Sequence, residues 1–319
     1  MARKTVWIPR RLSDATLERA QADYDCIINW EDGLSGPDEL VAMSAKVDAV
    51  IPCHSEHYSA EVAARLDPRL KIIANHSVGV DHCDLPALKA RGITVTNTPD
   101  VLSDATAEIA MLLMLGAARR AVEGDTMVRT GKWDTWSPSF MVGKQVSGGR
   151  LGIIGMGRVG RAFAEKARGF GMDIHYFNRS RLTPELEHGA TYHSSIDSLL
   201  VVADFLSLHC PATPETTGLM NADRFAQLPD GAVMVNTARG ALVDESALMA
   251  ALDSGKLSAA GLDCFATEPI GNPAFAAYQN VFMMPHIGSA TVTTRDAMGF
   301  RALDNLDAFF AGQTPRDLL

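Results

Sequence analysis

Three polar segments in the second half of the chain carry side chains that could do chemistry together. Asn236-Thr237-Ala238-Arg239-Gly240 closes the apolar run 232–236, Asp263-Cys264-Phe265-Ala266-Thr267-Glu268-Pro269 follows the run 258–262, and Pro285-His286-Ile287-Gly288-Ser289-Ala290 follows 280–283. If the three runs are parallel strands, the segments share the carboxyl edge of one sheet, where open α/β sheets bind ligands. Arg239 offers a forked cation for a carboxylate. His286 offers an acid suited to neutral pH. Glu268 can orient an imidazole and favour its charged form. A bound carboxylate, a proton donor and a group to orient that donor are what reduction of a 2-keto acid requires. Taken singly, each has an ordinary reading: a surface ion pair for Arg239, a cap before Pro269 for Glu268, a satisfied loop residue for His286. None of the other eight histidines lies in a comparable motif.

The reductant has its own signature. Leu151–Ile154 is a short apolar run of the kind buried on both faces of a parallel sheet. Gly155, Gly157 and Gly160 follow as G-x-G-x-x-G, a helical pattern runs from Arg161 to Phe170, Gly171 is suited to ending it, and Asp173–Phe177 is a second apolar stretch. This β-α-β context turns a weak six-residue pattern into a dinucleotide site, with the pyrophosphate on the helix N-terminus. Versions of the unit that bind NAD place an acid about twenty residues on, against the ribose 2′-hydroxyl. Here that place holds Asn178, Arg179, Ser180 and Arg181, with no carboxylate among them. Two guanidiniums suit a 2′-phosphate, so the cofactor expected is NADP(H).

The 319 residues are enough for two domains, and a composition of 47% hydrophobic and 21% charged residues is that of a globular protein. A net charge of −9 argues against non-specific nucleic-acid binding. The longest apolar stretch, 105–118, contains Glu108 and is too short to span a bilayer, and the N-terminus shows no secretory signal. The five scattered cysteines lack any metal spacing and read as reduced thiols of a cytoplasmic protein.

Strands are expected at 5–8, 24–28, 49–51, 70–74, 93–96, 203–208, 232–236, 258–262 and 280–283. Helices are expected near 14–22, 37–46, 59–66, 86–91, 102–119, 121–131, 195–201, 221–227, 244–253 and 289–311. Ser35 with Asp38 suggests a cap for the helix at 37, with Pro37 in its first turn. The alternation predicts an α/β fold of two doubly wound parallel sheets. The loop Asn75-His76-Ser77-Val78-Gly79-Val80-Asp81 follows a strand end and reads either as an anion site or as a structural turn. The segment 131–149 is irregular and aromatic, suited to a neighbouring surface or subunit.

With GMGRVG, HCPATPETTGL at 209–219, NTARGALVDE at 236–245, PHIGSAT at 285–291 and NHSVGVDHCDL at 75–85, nearly the whole chain resembles the D-isomer-specific 2-hydroxyacid dehydrogenases. The resemblance implies a Rossmann cofactor domain, 100–286, inserted into a flavodoxin-like substrate domain made of 1–99 and 287–319. It implies that Arg239 binds the substrate carboxylate and polarises the keto group, that His286 is the acid/base and that Glu268 pairs with it. Val78 and Gly79 would offer backbone N–H groups to the carboxylate. Arg158 and Val159 would lie on the pyrophosphate, Thr106 near a cofactor phosphate and Asp263 by the nicotinamide carboxamide. Cys210, Pro211, Thr216, Thr237, Ala238 and Gly288 would complete the cofactor contacts.

The segment 131–144 is similar to that of glyoxylate/hydroxypyruvate reductases, in which a partner subunit's tryptophan closes the substrate pocket. Trp136 and Trp133 both match, and a homodimer is implied. A sugar-derived keto acid such as 2-ketogluconate is the alternative substrate, and a dinucleotide-sensing corepressor is the alternative function. Asn75-His76-Ser77 departs from the family pattern and is expected to alter the pocket.

Overall fold

Short runs of Val, Ile, Leu and Ala become strands here because a sheet covered on both faces buries every residue of such a run. The computed structural model describes residues 3–319 and groups them into two units: the chain up to Leu102 with Ser289–Leu319, and Ser103–Gly288. In the first unit β1 (Thr5–Ile8), β2 (Asp25–Ile28), β3 (Ala49–Val50), β4 (Ile72–Ala74) and β5 (Thr94–Thr96) form a parallel sheet in the order β2-β1-β3-β4-β5. The period of two assigns Trp7 to one core and its neighbours Val6 and Ile8 to the other. The returning helix Val292–Phe310 closes the second of these cores with Ala302, Leu303 and Leu306.

In the second unit β6 (Arg150–Ile154), β7 (Asp173–Phe177), β8 (Thr191–Tyr192), β9 (Phe205–Leu208), β10 (Ala232–Asn236), β11 (Leu257–Leu262) and β12 (Val281–Met283) form a parallel sheet in the order β12-β11-β10-β9-β6-β7-β8. On β10, Val233 and Val235 enter one core and Met234 the other. Both units are α/β, with parallel sheets, as the alternation predicts. Among the described residues no helix is long and apolar enough to cross a membrane.

The structure departs from the expectations in a few places. The division between units falls after Leu102 and after Gly288, not at 99 and 286. At the second junction the N–H groups of Ile287 and Gly288 are bound to Asp263, which keeps them in the second unit. Ser35 caps nothing: Gly36 is the N-cap of helix Pro37–Ser44 with no side-chain bond, and the buried Ser35 hydroxyl has no partner among the described residues. The two-residue β8 and the one-turn helix Pro184–Glu187 are too short to show periodicity and are absent from the expectations.

Helix Val292–Phe310 crosses helix Asp14–Asp23 at Gly299, where a Cβ would lie 2.0 Å from the buried Thr16 Oγ1. Gly299→Ala is therefore expected to destabilise by about 1–3 kcal/mol through overpacking, against a helix-propensity gain of about 1 kcal/mol. A melting temperature equal to that of the parent would show that the helices part without cost.

Residues 315–319 cover the outer edge of β5, where Thr96 bridges Leu318 and the Leu319 N–H donates to Val95 O at 3.1 Å. Asp317 is buried, and its carboxylate accepts from Arg301 at 2.5 and 2.9 Å and from Asn305 Nδ2 at 3.1 Å. Burial alone raises its pKa, but Arg301 and Asn305 outweigh burial and hold it below the usual carboxylate range. With the folded pKa depressed, this stabilisation is complete above the unfolded value of about 3.9 and is lost as pH falls through the folded one. Asp317→Asn should lower stability at neutral pH and flatten its loss in acid. Superimposable acid-denaturation curves would contradict this.

Candidate active site

At the carboxyl edge of the second sheet, buried side chains hold the loops that carry the three candidate residues. Asn236, at the end of β10, donates from Nδ2 to Arg239 O at 2.8 Å and accepts from the Ala238 N–H at 3.0 Å, so one amide fixes the Arg239 turn. Gly240 is glycine for lack of room, since a Cβ would lie 1.9 Å from the carbonyl carbon of Phe265. The loop after β11 is thereby pressed against the loop after β10. Glu245 supports it from below, accepting from the Ala266 N–H and from Asn272 Nδ2, each at 2.8 Å.

Within that loop Glu268 Oε1 accepts from the Phe265 N–H at 2.9 Å, and Oε2 lies 2.6 Å from His286 Nδ1. His286 sits in the left-handed region, at φ 53°, unusual for a residue with a Cβ. Asp263 fixes the backbone just beyond it, with Oδ1 accepting from Ile287 N–H and Oδ2 from Gly288 N–H, both at 2.8 Å. Burial pushes the Asp263 carboxyl up against the pull of these N–H groups and of nearby His286. A carboxylate on Nδ1 fixes the tautomer and leaves Nε2 as the nitrogen that can exchange a proton with a ligand.

The three glycines of the turn after β6 have different surroundings. Gly155 has φ 97° and packs so closely that a Cβ would lie 2.5 Å from Cys210 N, while a Cβ on Gly160 would lie 2.3 Å from Gly155 O. Gly157 is different: no atom lies within 4 Å of its Cβ position. That open space, at the N-terminus of helix Arg158–Arg168, fits a pyrophosphate, with Arg158 exposed and Val159 half-buried beside it. The loop is held from the side by Asn178, whose Oδ1 accepts from the Met156 N–H at 2.7 Å.

Of the remaining cofactor candidates, Thr106 is buried and borders Gly288, and Pro211 O accepts from Thr216 Oγ1 at 2.8 Å. Thr237 Oγ1 lies 3.4 Å from Nδ1 of His209, an imidazole that burial drives down to about 3 and so keeps neutral. Burial also raises the Cys210 thiol to about 11.

In the first unit, the loop after β4 is held by bonds from Asn75 and Ser77. Asn75 is buried, donates to Thr96 O at 3.0 Å and places Oδ1 2.8 Å from His82 Nε2. His76 is buried, with a pKa lowered to about 4 by burial, and Ser77 Oγ donates to Gly79 O at 2.6 Å. Val78, Gly79 and Val80 are half-exposed at the tip.

The family described as D-isomer specific 2-hydroxyacid dehydrogenase, NAD binding domain, matches residues 111–288. Glycerate dehydrogenase of Hyphomicrobium methylovorum is 45% identical over 314 residues, 98% of each chain. The chain belongs to the D-isomer-specific 2-hydroxyacid dehydrogenases. Glyoxylate reductase of Thermococcus kodakarensis is 40% identical over 324 residues, covering 99% of this chain and 96% of that one. The structure of the NADPH-dependent glyoxylate/hydroxypyruvate reductase of Sinorhizobium meliloti, in complex with NADP and malonate, matches with a TM-score of 0.88 at 31% identity, over 100% of this chain and 97% of that one. This 2-hydroxyacid dehydrogenase is thus an oxidoreductase with an NAD-binding domain that acts on the 2-keto/2-hydroxy acid pair.

One expectation at the far end of the dehydrogenase's cofactor turn needs correction. Arg181 is not clear of carboxylates: Glu187, six residues on and buried, accepts from it at 2.7 and 3.1 Å and from the Tyr176 hydroxyl at 2.6 Å. The turn formed by Pro184–Glu187 brings this acid back. Arg179 and Ser180 are exposed. Trp133 and Trp136 are 57% and 74% exposed on the irregular segment. Asn236 and Glu245 were not singled out as braces in the sequence, because nothing in residue type distinguishes an amide or acid that braces a loop.

Proposed function

We propose that this dehydrogenase reduces glyoxylate or hydroxypyruvate to the D-2-hydroxy acid with NADPH. The observation that carries the reading is the 2.6 Å Glu268–His286 pair, on the same sheet edge as the braced Arg239 turn. The names of the glyoxylate reductases among its relatives favour the substrate. Arg239 holds the carboxylate and polarises the keto oxygen, with further N–H groups from Val78 and Gly79 on the carboxylate. The reduced nicotinamide, when bound, supplies the hydride. His286, charged and braced through Nδ1 by Glu268, gives the Nε2 proton to the oxygen as it becomes a hydroxyl. Glu268 remains a carboxylate and stabilises the imidazolium it orients. Asp263 sets the backbone that aims His286, and its placement by the carboxamide belongs to the same proposal.

The test is steady-state oxidation of NADPH and of NADH with glyoxylate, hydroxypyruvate, pyruvate and 2-ketogluconate. Fast turnover of NADPH with either of the first two supports the proposal. A preference for 2-ketogluconate replaces the substrate, and tight dinucleotide binding without turnover moves the reading to a sensing protein.

The NADPH preference rests on Arg179, since Glu187 already engages Arg181. Arg179→Ala should raise the KM for NADPH about 10–100-fold, the worth of one charge-assisted contact, and leave NADH unchanged. Equal effects on both cofactors would overturn the 2′-phosphate assignment. A homodimer is part of the proposal. Helix Ala121–Arg129 buries none of its residues, and Val128, Trp133, Trp136 and Val142 are large apolar side chains left exposed on it and on the segment that follows. Light scattering that gives a monomer's mass would refute it. Five cysteines scattered singly along the chain suit the reducing cytoplasm, where we place the enzyme.

A further inference from the structure

Asn97 directly follows β5, and its side chain crosses to the loop that follows β4. Its Nδ2 donates to Val78 O at 2.9 Å. In a trans peptide the C=O and N–H point in opposite directions, so holding Val78 O toward Asn97 turns the Gly79 N–H away from it. Ser77 Oγ, bound to Gly79 O at 2.6 Å, orients the next peptide in the same way and sets the Val80 N–H.

Asn97 is itself held at both ends of its main chain. Its N–H donates to Asp317 O at 3.4 Å, and its carbonyl accepts from Asn305 Nδ2 at 3.3 Å. Asn305 also bonds Asp317 twice, from Nδ2 to the carboxylate at 3.1 Å and from the Asp317 N–H to Oδ1 at 3.3 Å. Arg301 closes the set with two contacts to the same carboxylate. A bracket of Arg301, Asn305 and Asp317 therefore stands behind a single amide, and that amide orients the loop. The bonds would be redundant if they only fastened residues 315–319 to the sheet, because the Thr96–Leu318 bridge and the Leu319–Val95 bond already do that.

We propose that Asn97, backed by this bracket, is a positioning residue that aims the Gly79 N–H at the substrate carboxylate and so sets affinity for the keto acid. The proposal rests on the reading of Val78 and Gly79 as carboxylate donors. Asparagine suits the position because its amide donates without charge. An aspartate would set an acceptor against Val78 O, and an alanine would release the peptide to rotate.

The experiment compares Asn97→Ala, Asn97→Asp and Arg301→Lys with the parent enzyme, using glyoxylate as substrate and oxalate as an unreactive carboxylate ligand. Asn97→Ala should raise the KM for glyoxylate and the Ki for oxalate about tenfold or more, with kcat and cofactor affinity nearly unchanged. Asn97→Asp should be worse, and Arg301→Lys, which keeps the charge but loses the fork, intermediate. A fall in kcat, cofactor affinity and melting temperature together, without a selective rise in KM, would mean that Asn97 only holds the fold, and would overturn the proposal.

Gly79→Pro, which removes the N–H itself, separates the two readings. If it weakens oxalate and Asn97→Ala does not, Asn97 does no positioning and the loop still binds the carboxylate. If neither weakens oxalate, the loop reading fails and the proposal with it. Should Gly79→Pro not fold, oxalate binding by Asn97→Ala decides alone.

Discussion

His286→Ala is expected to lower kcat by about 10²–10⁴-fold, the usual worth of a positioned general acid, while the Kd for NADPH stays within about twofold. The two effects separate because the dinucleotide turn and the imidazole are held by different residues. Asn178 and the packing of Gly155 and Gly160 hold the turn, whereas Glu268 and Asp263 hold the imidazole and the backbone behind it. Glu268→Gln should lose less than His286→Ala, since an amide still accepts from Nδ1 but no longer favours the charged ring. Pre-steady-state hydride transfer and cofactor fluorescence titration check the pair of results. Equal loss of turnover and of cofactor binding would remove His286 from the chemistry and make it a structural part of the cofactor loop.

Arg239→Ala should be nearly as damaging, with kcat/KM for glyoxylate lower by about 10³-fold or more, because binding of the carboxylate and polarisation of the keto oxygen are lost together. Arg239→Lys is expected to recover only a small part. It restores the charge without the planar pair of donors. The comparison that checks the assignment is kcat/KM for glyoxylate against the Kd for NADPH in both variants. A lysine variant with parental kcat/KM would show that Arg239 acts as a point charge at a distance and touches no substrate.

The α/β class, almost all of the strands and the glycine-rich turn follow from local pattern alone. A run such as Ala232–Asn236 buries all five residues, so its composition and its structure carry the same information. The same holds for Gly155, Gly157 and Gly160, where spacing after a strand forces a close turn, an open approach and a tight helix contact in that order. His286 and Glu268 were visible as residue types at strand ends. Their pairing was implied by the family resemblance and not by spacing, because eighteen residues separate them and only the packing of the loops after β11 and β12 decides which atoms meet.

Arg181 shows the limit from the other side. A stretch with no acid of its own acquires Glu187 as a neighbour through a one-turn helix too short to leave a periodic signal, and the charge that Arg181 presents changes with it. Ser35 shows it again, since a capping pattern is local and the start of a helix can slip by one residue to let Gly36 take the cap. Residue order thus determined which segments are strands, where the dinucleotide turn lies and which side chains could react, because these depend on neighbours along the chain. Tertiary structure alone decided that Asp263 and Asn97 are braces of those side chains and loops. A hydrogen bond between distant segments depends on distance and direction in space, and no residue type records either.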